Sequence, residues 1–110
     1  MKIDNETQEK LQELQMAEQN LQNFLLQKQA FQYELNEVEA SLEELKKSDD
    51  EVYKVIGNVM IKAKKHDVVK DLEEKKKVLE LRLKSLDNQE KIISEKLDRL
   101  RKELEEKFKK

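Results

Sequence analysis

Apolar side chains recur along this chain at alternating steps of three and four over two long stretches, and a short segment between them breaks the rhythm. In the first stretch one set falls at Leu14, Leu21, Lys28, Leu35 and Leu42, and a second at Ala17, Phe24, Phe31, Val38 and Leu45. A mean step of 3.5 residues keeps both sets on one helix face, as the a and d positions of a coiled coil require. The second stretch repeats the pattern with Leu72, Leu79, Leu86, Ile93 and Leu100, partnered by Val69, Lys76, Leu83, Glu90, Leu97 and Leu104. Lys46 and Lys47 suit the negative end of the first helix, and Ser48-Asp49-Asp50 reads as its break. Asp67 reads as the N-cap of the second, with Asp71 and Glu73 near its positive end. The pattern predicts helices over residues 5–47 and 68–108.

The interrupting segment, "DDEVYKVIGNVMIKAKK", has strand chemistry. Val52-Tyr53-Lys54-Val55-Ile56 and Val59-Met60-Ile61-Lys62 are rich in β-branched and aromatic residues, and they flank Gly57-Asn58. Gly enters φ > 0 freely and Asn tolerates it, so a two-residue primed turn is favoured. This predicts a hairpin over 51–64 with Ile56 opposite Val59 and Lys54 opposite Ile61. Residues facing each other across such a turn have numbers summing to 115. Pairing Leu42 with Leu72, Leu35 with Leu79, Leu21 with Ile93 and Leu14 with Leu100 gives 114 each time. Helices and hairpin therefore share one folding-back point. The predicted fold is mainly α: an antiparallel two-helix coiled coil with a single β-hairpin at the bend, one domain over residues 1–110. Lys28 opposite Leu86, Phe24 opposite Glu90 and Val38 opposite Lys76 are misfits, read as polar insertions that fix register.

Composition narrows the function. Charged residues make up 44% of the chain and apolar ones 36%, with five aromatics, one Gly and no Pro, which suits long helices rather than a globule with a wide core. A net charge of -2 gives no global electrostatic reason to expect nucleic acid or a membrane as partner. The start, "MKIDNETQEK", has no apolar signal core and no run approaches membrane-spanning length, so a soluble cytoplasmic chain is expected. With one His and no Cys, no catalysis, metal or cofactor is expected. His66 is expected to be a solvent-facing linker residue. The basic run from Lys62 to Lys70 is expected to form a charged rim with Asp49, Asp50 and Glu51. The eight glutamines from Gln8 to Gln32 read as a polar helix face.

The hairpin makes a demand of its own. A two-stranded ribbon is marginal alone in water. This one carries Val52, Ile56, Val59 and Ile61 on one face and Tyr53, Val55 and Met60 on the other, and helices about 10 Å wide cannot cover both. Open edges of this kind pair with other chains. An assembly module of Val52, Tyr53, Val55, Ile56, Gly57, Asn58, Val59, Met60 and Ile61 is therefore expected, in preference to a hairpin that merely caps its own coil.

Helix, single hairpin and returning helix, with "DDEVYKVIGNVMIK" at the bend, resemble the beta-class subunit of prefoldin over nearly the whole chain. The specific part is Val52-Tyr53-Lys54-Val55, Gly57 and Met60-Ile61. Alpha-class subunits have two hairpins between their helices, and the connector here has room for one. The resemblance implies an ATP-independent chaperone, archaeal in its minimal form, built as a hetero-hexamer of two alpha and four beta subunits. Their hairpins would form a barrel platform carrying coiled-coil arms. Arm tips would hold non-native proteins for delivery to a group II chaperonin. The chain stops at Lys110, directly after the helix, so no contribution of a longer tail is carried over.

Antiparallel helices put both termini at the end away from the hairpin, about 68 Å for a 45-residue helix. Thr7 and Lys10 dilute the heptads there. Ile3, Leu11, Leu100, Leu104 and Phe108 are the candidate client-binding residues of this tip, Ile3 and Phe108 foremost. The competing expectation is a structural coiled-coil scaffold without client binding. A parallel dimer of that kind needs an unbroken heptad frame through residues 48–67, which is absent.

Overall fold

The computed structural model describes residues 4–109. Its elements run α1 (Asn5–Lys46), β1 (Glu51–Ile56), β2 (Val59–Lys64) and α2 (Lys65–Phe108). The chain divides into two compact units: residues up to Gln29 with those from Lys84 onward, and Ala30–Leu83.

In the second unit, Leu35, Val38, Leu79 and Leu83 form a buried cluster flanked by Phe31, Leu42 and Leu72. All seven are heptad positions, and a fully buried side chain of this kind contributes about 1.5–3 kcal/mol. Arg82 lies over the Phe31 ring, 5.5 Å from its centroid. α1 ends by tightening: the Lys47 and Ser48 amides donate to the Glu44 and Leu45 carbonyls at 3.1 and 3.2 Å, the three-residue spacing common in last turns. The Ser48 hydroxyl also donates to the Leu45 carbonyl, at 2.9 Å.

β1 and β2 pair antiparallel from Glu51↔Lys64 to Ile56↔Val59, with Lys54 opposite Ile61, the register expected from the turn. The start of α2 differs from the expectation. Asp67 is not its N-cap, and the helix begins at Lys65, directly after the strand. The Lys65 amide donates to the Asp50 carbonyl at 2.8 Å, so the end of the hairpin satisfies one of the first-turn donors that have no partner within the helix. Asp67 sits in the first turn, where the helix dipole favours its charge. His66 belongs to that turn, and its side chain is exposed.

In the first unit the seam comprises Ala17, Leu86, Leu97, Leu100 and Leu104, all buried, with Leu14, Leu21, Phe24 and Ile93 half-buried. Lys10 pairs with Glu103, Glu18 with Arg101 and Lys28 with Asp87. As numbers rise along α1 they fall along α2, so the helices are antiparallel. The misfit Lys28 leaves the apolar seam diagonally, reaching Asp87 at 2.6 Å and Glu90 at 3.1 Å. Two misfits thus neutralise each other. The hydrogen bonds to Asp87 and then Glu90 raise the Lys28 pKa above the ordinary lysine value. In the second unit Lys76 leaves the seam in the same manner, toward Glu39 at 4.0 Å.

Candidate functional site

The two places that the sequence singles out for their apolar side chains lie one in each unit. The first is the hairpin. Gly57 has φ 60°, and no other described residue has positive φ. A glycine at positive φ followed by a residue at negative φ is the pattern of a type II′ turn. The left-handed tolerance of Asn58 is therefore not used. A Cβ at Gly57 would meet nothing within 4 Å, so the demand for glycine is purely conformational.

The strand register sorts the side chains. Tyr53, Val55 and Met60 share one face with Glu51, Lys62 and Lys64, and Val52, Lys54, Ile56, Val59, Ile61 and Ala63 share the other. On the first face Tyr53, Val55 and Met60 are 66–67% exposed. On the second, Ile56, Val59 and Ile61 are 45–58% exposed, while Val52 and Ala63 are half-buried. The helical elements leave both faces largely bare. Charges flank this surface: Lys62 pairs with Glu51 at 3.0 Å, and Lys54 lies 3.9 Å from Asp71.

The second place is the end of the helix pair in the first unit. Leu11, Leu14, Leu104 and Phe108 line an open groove of about 670 Å³, rimmed by Arg101, Glu105 and Lys109. Phe108 is 48% exposed and Leu11 half-buried, whereas Leu104 forms the buried floor. Leu100 is buried in the seam and does not line the groove. Leu14, unremarkable in the heptad pattern, does. Ile3 lies outside the described residues.

Beside the groove, the slots that dilute the heptads are closed by hydrogen bonds. Thr7 is 4% exposed, and its hydroxyl accepts from Lys107 Nζ at 3.1 Å. Lys107 also reaches Asp4 at 3.5 Å and Glu6 at 3.7 Å, and Lys10 reaches Glu103 at 3.3 Å. Asp4 caps α1 by accepting the Thr7 amide at 2.7 Å. Hydrogen bonds from Thr7, side chain before backbone, hold the Asp4 carboxyl below its ordinary pKa, and Lys107 adds to this. Lys107 falls in the same heptad set as Leu72 to Leu100, one step further on. Its spacing with Thr7 was the available signal for this polar layer, because the two numbers sum to 114 like the apolar pairs.

Among the described residues no group of three or more His, Cys, Asp or Glu is placed to hold a metal ion. None of the described helices is long and apolar enough to cross a membrane. The hairpin thus offers open strand edges and two exposed apolar faces, and the groove offers apolar side chains under a charged rim.

Comparison with known proteins agrees with this architecture. A family model described as "Prefoldin subunit" matches residues 6–110. The chain is similar to the prefoldin beta subunit of Archaeoglobus fulgidus, 45% identical over 85 residues, covering 76% of this chain and 73% of the relative. It is similar to that of Pyrococcus furiosus, 38% identical over 100 residues, covering 89% and 86%. The crystal structure of the prefoldin beta subunit from Thermococcus strain KS-1 superposes with a TM-score of 0.88 at 35% identity, covering 99% of this chain and 97% of that one.

Proposed function

The chain belongs to the prefoldin subunit family, as one of its beta subunits, and on that premise we propose that it works as part of an ATP-independent holdase. In this reading it joins an alpha-class subunit and further beta subunits, two alpha and four beta in all. Its coiled-coil tips hold non-native proteins, which pass in the cytoplasm to a group II chaperonin.

The observation that carries the reading is the two-faced hairpin. Six apolar side chains, three on each face, stand at least 45% exposed in the isolated chain. Burying such a side chain contributes about 1.5–3 kcal/mol. A six-residue ribbon with both edges open gains that only by pairing with other strands. The groove of Leu11, Leu14, Leu104 and Phe108 supports the client half of the proposal: it is apolar, shallow and has no enclosed polar group that would select one ligand.

The test mixes the chain with an alpha-class subunit and measures complex mass by light scattering. Suppression of aggregation of a chemically unfolded protein is then measured without nucleotide. A hexamer that protects the client supports the proposal. A complex that assembles and protects nothing leaves a structural coiled-coil scaffold, and a chain that does not assemble refutes the hairpin's role.

A further inference from the structure

One segment of α1 departs from the rest of this chain in its electrostatics. Charged residues make up 44% of the sequence, yet the eleven residues Gln19–Gln29 contain one, Lys28. Lys28 starts from a seam position and reaches across to α2, where Asp87 and Glu90 pair with it. The back of α1 in the first unit therefore carries no charge over this length. It presents Gln19, Gln22, Asn23, Leu26 and Gln29, with Met16 one turn before them, all exposed. Leu26 is 59% and Met16 66% exposed, and Leu25 beside them is 42%. Among the side-chain hydrogen bonds of the described residues, none engages Gln19, Gln22, Asn23 or Gln29. The back of α2 in the same unit is different: Lys84, Lys91, Glu95, Asp98 and Lys102 stand exposed along it.

Such a face suits one kind of occupant. A nucleic acid needs Lys or Arg to neutralise phosphates, and a membrane surface needs a basic polar face opposite a broad apolar one. Neither is present. A charged partner helix finds no counter-charge. A carboxamide, by contrast, both donates and accepts, so it pairs with the N–H and C=O groups of an extended chain whatever its sequence. Flexible Met and Leu side chains accept apolar groups of varied shape. The neutral face matches a neutral backbone, and the apolar side chains match residues that a folded protein would bury.

We propose that the back of α1 around Leu26 is a second contact surface for extended, non-native polypeptide, reading backbone and apolar side chains without regard to charge. This rests on the holdase reading and adds to it a surface separate from the end groove. In the assembled complex such contacts are shared among several copies, so weak binding at each face adds in avidity.

The experiment uses the full chain assembled with an alpha-class subunit and guanidine-unfolded lysozyme as the probe. A photo-cross-linking residue is placed by Leu26→p-benzoylphenylalanine, and for comparison by Glu95→p-benzoylphenylalanine on the back of α2. Lysozyme adducts should form several-fold more at 26 than at 95. Separately, Gln19→Glu, Asn23→Lys and Leu26→Glu together charge the face while keeping helix-favouring spacings. Complex mass and helical circular dichroism should stay unchanged. Affinity for lysozyme should fall about tenfold, because ions now have to be desolvated on contact. Equal adduct yields at 26 and 95, or unchanged affinity in the charged variant, would overturn the proposal. So would adducts at 26 made mainly to another copy of this chain, which would reassign the face to self-association. If the unaltered complex protects no client, the holdase reading fails and this inference with it. If it protects clients while position 26 stays silent, only this inference falls.

Discussion

Replacing Gly57 isolates a single physical term. The residue has φ 60°, and a Cβ there would touch nothing within 4 Å. An L-side chain therefore meets no neighbour and suffers only the local clash of its own backbone, about 1–3 kcal/mol for a sparsely populated region at positive φ. Loss of backbone freedom in the unfolded chain returns about 0.4–1 kcal/mol, so Gly57→Ala should destabilise the hairpin by about 1 kcal/mol. Gly57→Val should exceed that, because a β-branched residue is a sharper outlier at positive φ. A D-alanine at the same position has the opposite handedness. It should remove the clash, keep the entropy gain and stabilise by a few tenths to 1 kcal/mol. Hydrogen exchange of amides in β1 and β2 reads this directly, since about 1.4 kcal/mol changes local opening tenfold. Protection should fall for L-Ala, fall further for Val and rise for D-Ala, while that of the helices stays constant. Equal loss from L-Ala and D-Ala would show that the turn tolerates no Cβ of either hand, and the conformational account would be refuted.

Ile56→Lys with Ile61→Lys should dissolve the higher oligomer, seen as a fall in mass by light scattering, with helical circular dichroism retained; an unchanged mass removes the hairpin from assembly. Lys28 has a raised folded pKa, so its contribution is present below the ordinary lysine range near 10.4 and lost as pH rises through the folded value. Lys28→Gln should flatten the alkaline limb of a stability-against-pH curve, and an identical limb in both proteins would contradict the seam pairing. Asp4 is shifted the other way, so its contribution is present above the ordinary carboxylate range and lost as pH falls through the lowered value. Asp4→Asn should flatten the acid limb, and fraying of the first turn of α1, read by hydrogen exchange, should lose its acid dependence. Leu11→Ser with Phe108→Ser should leave complex mass unchanged and weaken protection of an unfolded client; full protection would move client binding away from the end groove.

Much of this protein is legible along one dimension. The heptads place both helices because a step of 3.5 residues leaves a single apolar face, and every one of those seam positions is buried or half-buried. The lone glycine places the turn because glycine enters positive φ most freely, and it thereby sets the 115 register of the strands. The exposed apolar hairpin is legible for the same reason: a period of two sends alternate residues to opposite faces.

Other features depend on atoms that spacing does not describe. Lys28 and Glu90 read as separate misfits, and only the packed helices let a four-carbon side chain cross the seam to join them, with Asp87 beside. Thr7 and Lys107 read as dilution at the end of the heptads, yet they form a hydrogen-bonded layer because Asp4 and Glu6 supply partners from the first turn of α1. Asp67 carries every local sign of a cap, but the Asp50 carbonyl, brought back by the hairpin, reaches the Lys65 amide first. Leu14 and Leu100 occupy equivalent seam positions in the sequence, and the structure gives one to the end groove and the other to the core. Local periodicity determines which face is apolar. Which of those side chains stay in contact with solvent, and which charges find one another, depends on groups up to about a hundred residues apart, and that is settled only when the helices pack.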